Sequence, residues 1–138
     1  QRRHFREDGR LSPTHGDFPD AMRKVANELN VPLIDLTLIT TKMYEAWGKE
    51  TSKNALVHYP ANTFPGQEKA LADNTHFNVF GANEIALAII EEIRNSELKL
   101  KNHIREETPR YEPIKPNNFS NWKVPLSPRF ESTKPEGN

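Results

Sequence analysis

The chain contains no cysteine, so neither disulfides nor thiolate-ligated metals hold it together. That absence is compatible with any compartment. Neither sign of charge is in excess: 19 Lys and Arg balance 19 Asp and Glu, which argues against nucleic acid or an anionic membrane as the main partner. No apolar run approaches the ~20 residues that a membrane span requires. The apolar fraction is low, at 35%, and 11 residues are proline, which points to a sizeable irregular portion. With 138 residues there is room for one ordinary domain. The opening Gln1-Arg2-Arg3, without Met or a signal-peptide apolar stretch, reads as a cut rather than a translation start.

Periodicity divides what is present. Residues 1–16 are polar, with a turn signal at Asp8-Gly9, and read as a surface loop. Over 18–29, Phe18, Met22, Val25, Ala26 and Leu29 share one helical face, with Asp17 as a cap and Pro19 in the first turn. The run Val31-Pro32-Leu33-Ile34-Asp35-Leu36 fits a strand buried on both faces. Thr37 is placed to cap a helix over about 38–47, with Ile39, Met43 and Trp47 inward and Gly48 as its stop. Residues 52–57 suggest a helical turn, 57–59 a short extended piece and 60–72 a long loop. A helix follows Asn78 to about Arg94. Ala82, Ile85, Ala86, Ile89, Ile90 and Ile93 lie on one side of it, and Glu84, Glu91, Glu92 and Arg94 on the other.

Residues 108–138 are different. Six prolines interrupt them, and Tyr111, Phe119, Trp122 and Phe130 are spread between. An extended tail with its aromatics laid against the body, or a linker, fits better than regular structure; a proline-rich recognition peptide is the other reading. The chain thus divides into a domain portion, 1–107, and a tail, 108–138. The order helix, strand, helix, short strand, helix is that of a doubly wound α/β domain. Yet one strand and one short extended piece are too little sheet for these helices, so the chain reads as part of a larger folded unit.

Chemistry concentrates in Asp73-Asn74-Thr75-His76-Phe77-Asn78, just ahead of that helix. An acid three residues before a histidine in a tight turn can bond one imidazole nitrogen and leave the other free to take a proton from a nucleophile. The plain alternative is a turn, since Asp-Asn is a common turn pair and Asn78 a good helix cap. His58 is a second histidine, open between a substrate or metal role with Asp73 and His76 and a hydrogen-bonded structural one.

The run Asp73-Asn74-Thr75-His76-Phe77 with Gly81 resembles the last sequence block of the SGNH (GDSL-like) hydrolases, and among them the rhamnogalacturonan acetylesterase group. Gln1-Arg2-Arg3, Thr14-His15-Gly16-Asp17-Phe18-Pro19 and Asn30-Val31-Pro32-Leu33-Ile34-Asp35-Leu36 agree in that order, so the resemblance covers roughly residues 1–95. It implies the carboxy-terminal part of a flavodoxin-like, doubly wound parallel-sheet domain. It further implies a Ser-His-Asp esterase that removes acetyl groups from pectic polysaccharide, with Asp73 and His76 as its catalytic acid–base pair. No metal or organic cofactor is required, and the family is largely exported, which implies a secreted or periplasmic setting. The loop over 1–16 would lie near the active-site rim, where Arg2, Arg3 or His15 are candidates to meet an acidic sugar.

The family's nucleophilic Ser lies in a Gly-Asp-Ser-type block and its oxyanion Gly and Asn in later ones. None of these blocks occurs here, and no serine of this chain matches a family position. The expected partners are therefore an acetylated polysaccharide or oligosaccharide and the missing amino-terminal half of the domain, upstream or as a partner chain. Two other readings stay open: an SGNH esterase or lipase for another acyl ester, and a truncated product that binds without turnover.

Overall fold

The computed structural model describes residues 1–124. The helices are α1 (Phe18–Glu28), α2 (Leu36–Thr51) and α3 (Val79–Asn95), and the strands are β1 (Leu56–Tyr59) and β2 (Leu71–Phe77). A 3-10 turn, Ser52–Ala55, joins α2 to β1, and two more follow α3 at Lys99–His103 and Phe119–Asn121. Among the described residues no helix is long and apolar enough to cross a membrane.

Helix α1 forms where its apolar period predicts it, with proline in the first turn, but Asp17 makes no side-chain capping bond. Its far end closes through Asn30 in the left-handed region (φ 51°). The Val31 N–H returns to the Ala26 carbonyl at 2.8 Å and the Asn30 N–H to that of Asn27 at 3.3 Å. This is the paired closure that lets an Asn end a helix.

The expected strand over 31–36 is not formed. Residues 31–35 are irregular, and Leu36 opens α2. A strand exists only with a neighbour to satisfy its backbone, and Pro32 has no N–H to offer. Among the described residues the sheet is β1 paired with β2, antiparallel, in place of the parallel sheet expected. The long loop ends at residue 70, so Asp73 lies inside β2 rather than after a loop.

Helix α2 is capped by Asp35, not Thr37: its Oδ1 accepts the Leu38 N–H at 3.0 Å. Arg23 of α1 donates to the other oxygen of Asp35 at 2.6 Å and to Asp20 at 2.5 Å, which ties α1 to the start of α2. Gly48 breaks the helical backbone (φ 77°), as its stop role requires, but helical turns resume to Thr51.

Helix α3 starts at Asn78, whose Oδ1 accepts the Gly81 N–H at 3.0 Å. Its amide also donates to the Asn54 and Leu56 carbonyls at 2.7 and 3.0 Å, fixing the helix onto β1. The burial of α3 departs from the expected faces at two glutamates, while Glu92 stays exposed as expected. Gly81, Glu84, Ala88 and Glu91 are buried, while Ala82 and Ala86 are exposed and Ile85, Ile89 and Ile93 are half-buried. The reason is the segment that follows. Glu84, 0% exposed, accepts the Tyr111 hydroxyl at 3.0 Å and the backbone and side-chain N–H groups of Asn117, each at 2.9 Å. Glu91 pairs with Arg94 and with Arg110, the latter at 2.6 Å. Supplied with donors, a carboxylate stripe becomes an interior face.

Two apolar clusters complete the interior. Ile39, Met43, Ala88 and Tyr111 join α2, α3 and the segment after it. Leu11, Tyr44 and Leu56 join the first loop, α2 and β1. Phe119 and Trp122 pack edge-on to Phe80 at 5.4 and 5.3 Å, and the Trp47 indole N–H donates to the Asn117 carbonyl at 2.9 Å. Residues 125–138, Phe130 among them, lie outside the described residues.

Candidate active site

The β1–β2 ladder is interrupted at the acid–histidine run. Leu56 pairs with Phe77, and His58 with Ala72. Between those pairs Val57 alone faces four residues, Asp73, Asn74, Thr75 and His76. A bulge of this kind bends the strand and re-aims its side chains. Here it turns Asp73 and His76 towards each other, which regular alternation forbids for residues three apart.

Asp73 organises the excursion. Its Oδ1 accepts the backbone N–H groups of Thr75 and His76 at 2.6 and 3.0 Å. Its Oδ2 lies 2.7 Å from His76 Nδ1. The carboxyl is held down to about 2, first by the hydrogen bond to the His76 ring and then by the two backbone donors. An ionised Asp73 only accepts, so His76 carries its proton on Nδ1. Nε2 is left without a partner among the described residues, beside an open cleft lined by Arg2, Val57, Leu71, Asp73, Thr75 and His76. The imidazole is exposed and presents a free basic nitrogen.

The other candidates fall as follows. His58 Nε2 meets the Asn74 side-chain oxygen at 3.0 Å and does not join Asp73 and His76. Among the described residues no three His, Asp or Glu side chains gather in a group fit for a metal ion. His15 is exposed and bonds Thr14 through Nδ1 at 3.0 Å. Arg2 donates to the Thr75 hydroxyl at 3.1 Å, on the bulge itself. Arg3 is not a rim residue: it is 8% exposed and its guanidinium donates to Ser52, Asn74 and the Lys49 carbonyl. Nothing in the sequence separates Arg3 from the other arginines of its loop. Only tertiary contacts, with Asn74 71 positions away, reveal it.

No family model matches the sequence, and no solved structure matches it. A curated relative does. Rhamnogalacturonan acetylesterase RhgT of Bacillus subtilis (strain 168) is 45% identical over 104 residues, 75% of this chain and 45% of the relative. That identity supports an SGNH, rhamnogalacturonan acetylesterase-like family for this chain, as a partial region of it. It spans less than half the length of the relative it matches.

Proposed function

We propose that this chain supplies the general base, His76, and its orienting carboxylate, Asp73, to a serine esterase that removes acetyl groups from rhamnogalacturonan-type pectic polysaccharide outside the cell. The observation that carries the reading is the 2.7 Å contact between His76 Nδ1 and Asp73 Oδ2, with Nε2 free over an open cleft. The relative's name supplies the ester and the polymer.

In this reading the nucleophilic serine and the oxyanion donors belong to a part of the domain outside these residues, upstream or on a partner chain. That part also carries the parallel strands of a doubly wound sheet. The serine hydroxyl attacks the acetyl carbonyl while His76 Nε2 takes its proton. Asp73 keeps the Nδ1–H tautomer and stabilises the imidazolium. Collapse of the tetrahedral intermediate passes the proton to the departing sugar hydroxyl. Water, deprotonated by the same nitrogen, then releases acetate from the serine.

The test begins with a denaturing intact mass, to establish that the serine-bearing part is in the preparation. Acetate release from acetylated rhamnogalacturonan is then measured with and without His76→Ala. A loss on the order of 10⁴-fold is expected. Acetate release that survives the substitution removes the role assigned to His76.

A further inference from the structure

The bulge that carries Asp73 and His76 is gripped from the far end of the chain. The Arg3 backbone N–H donates to the Asn74 carbonyl at 2.9 Å. The Arg3 side chain donates to the Asn74 side-chain oxygen at 2.9 Å, and its Nε to Ser52 Oγ at 2.8 Å. A third branch reaches the Lys49 carbonyl. The guanidinium is thus buried on three neutral acceptors contributed by two segments, the α2–β1 junction and the bulge. Burying a cation on neutral groups costs desolvation that an ion pair would offset. Glu50 is near enough to attract the cation, but every direct bond of the guanidinium goes to a neutral acceptor, and those bonds fix Asn74 relative to Lys49 and Ser52.

His58 makes the grip two-sided. An arginine only donates, so the Asn74 atom facing Arg3 is the amide oxygen, and the amide cannot flip. The same oxygen lies 3.0 Å from His58 Nε2, which must therefore carry a proton. Two donors on one oxygen, with the backbone bond to the Asn74 carbonyl, leave the residue between Asp73 and Thr75 little freedom. His76 is otherwise exposed and Asp73 half-buried, and the two are joined by local bonds alone.

We propose that Arg3 is a positioning residue which, through Asn74 and with His58 on the same amide oxygen, sets the bulge in which the Asp73 carboxylate meets the His76 ring. This rests on the esterase reading, because it matters to catalysis only if His76 is the base. Lysine cannot replace Arg3: a single ammonium does not span Ser52, Lys49 and Asn74 as a planar guanidinium does.

The test is nitrogen–proton NMR of the His76 imidazole in the full 138-residue chain. Wild type is compared with Arg3→Lys, Asn74→Ala and Asn74→Asp, with circular dichroism to confirm folding. Wild type and Asn74→Asp, which keeps an acceptor for both donors, should show one tautomer with the proton on Nδ1. Arg3→Lys and Asn74→Ala should show mixed tautomers and an Nδ1 proton exchanging about tenfold faster or more, as expected when the ring loses its fixed partner. Should Arg3→Lys not fold, Asn74→Ala decides, since it removes only the side-chain link. A folded Asn74→Ala chain with the wild-type tautomer and exchange rate overturns the positioning role and leaves the esterase reading intact. Mixed tautomers in the wild type itself overturn the Asp73–His76 pair, and the positioning role with it.

Discussion

Gly81 stands so close to Ala55 that a β-carbon on it would lie 2.0 Å from the Ala55 carbonyl oxygen and 2.7 Å from the Phe77 ring. The first turn of α3 therefore rests directly on the turn before β1, and only glycine permits the approach. Gly81→Ala has backbone on one side and the end of β2 on the other, with nowhere to relax. It is expected to cost about 3 kcal/mol or more, the upper range of overpacking, seen as a fall of about 10 °C in Tm. Because Phe77 directly follows His76, the same substitution should also disturb the His76 imidazole signals. A melt within about 1 °C of wild type would mean the contact is looser than described.

Asp73 gives a pH prediction with a definite sign. Its carboxyl is lowered from 3.8 to about 2, chiefly by the bond to the His76 ring. A carboxylate depressed on folding contributes fully above its unfolded value and loses that contribution as pH falls through its folded value. The Asp73–His76 bond is thus expected to persist at about pH 4 and to break only as pH falls through the folded value near 2. A carbon NMR titration of the Asp73 carboxyl checks this. A midpoint at the ordinary 3.8 would show that the three bonds do not form in solution.

Glu84 anchors residues 111–117 on α3. Glu84→Ala leaves the Tyr111 hydroxyl and the Asn117 N–H groups without their acceptor, and should cost about 3 kcal/mol. Glu84→Gln keeps one carbonyl oxygen for Tyr111 and the Asn117 backbone, while a flipped Asn117 amide can accept from the new NH2 group. That variant should stay within about 1 kcal/mol of wild type. Thermal melts order the two, and the fluorescence of Trp122, packed on Phe80, reports release of the segment. Equal losses in both variants would mean that the charge, not the acceptor geometry, holds the contact.

Local signals were legible and long-range ones were not. The 3.6-residue period marked α1, the Asn78 cap fixed the start of α3, and Asp-x-x-His pointed to a paired acid and imidazole before any coordinates. The burial of Glu84 and Glu91 was invisible, because periodicity counts apolar side chains and knows nothing of Tyr111, Asn117 and Arg110 arriving from later in the chain. The run 31–35 misled for the converse reason. Its composition suits a buried strand, but composition does not supply the neighbour whose hydrogen bonds make one. The burial of Arg3, expected at the rim, was hidden as well, because one arginine among several in a polar loop carries no local mark of burial.

The exposed side of α1 gives the prediction that bears most directly on the proposed esterase. Phe18 is 74% exposed and Leu29 68%, and Met22, Val25, Val31 and Leu33 are open beside them. Phe18, Met22, Val25, Val31 and Leu33 line one apolar groove with Ala21, Ala26 and Pro32. A continuous apolar surface of this kind marks a site of contact, and in the proposed esterase the serine-bearing part covers it. Met22→Lys with Val25→Lys removes no internal contact of a buried side chain, so the chain alone should keep its stability within about 1 kcal/mol. Co-purification with a co-expressed serine-bearing part should be lost, because two ammonium groups would be buried unpaired in the contact. Retained association with the double variant would place that contact on another face. A large loss of stability in the chain alone would mean that α1 already packs this face internally.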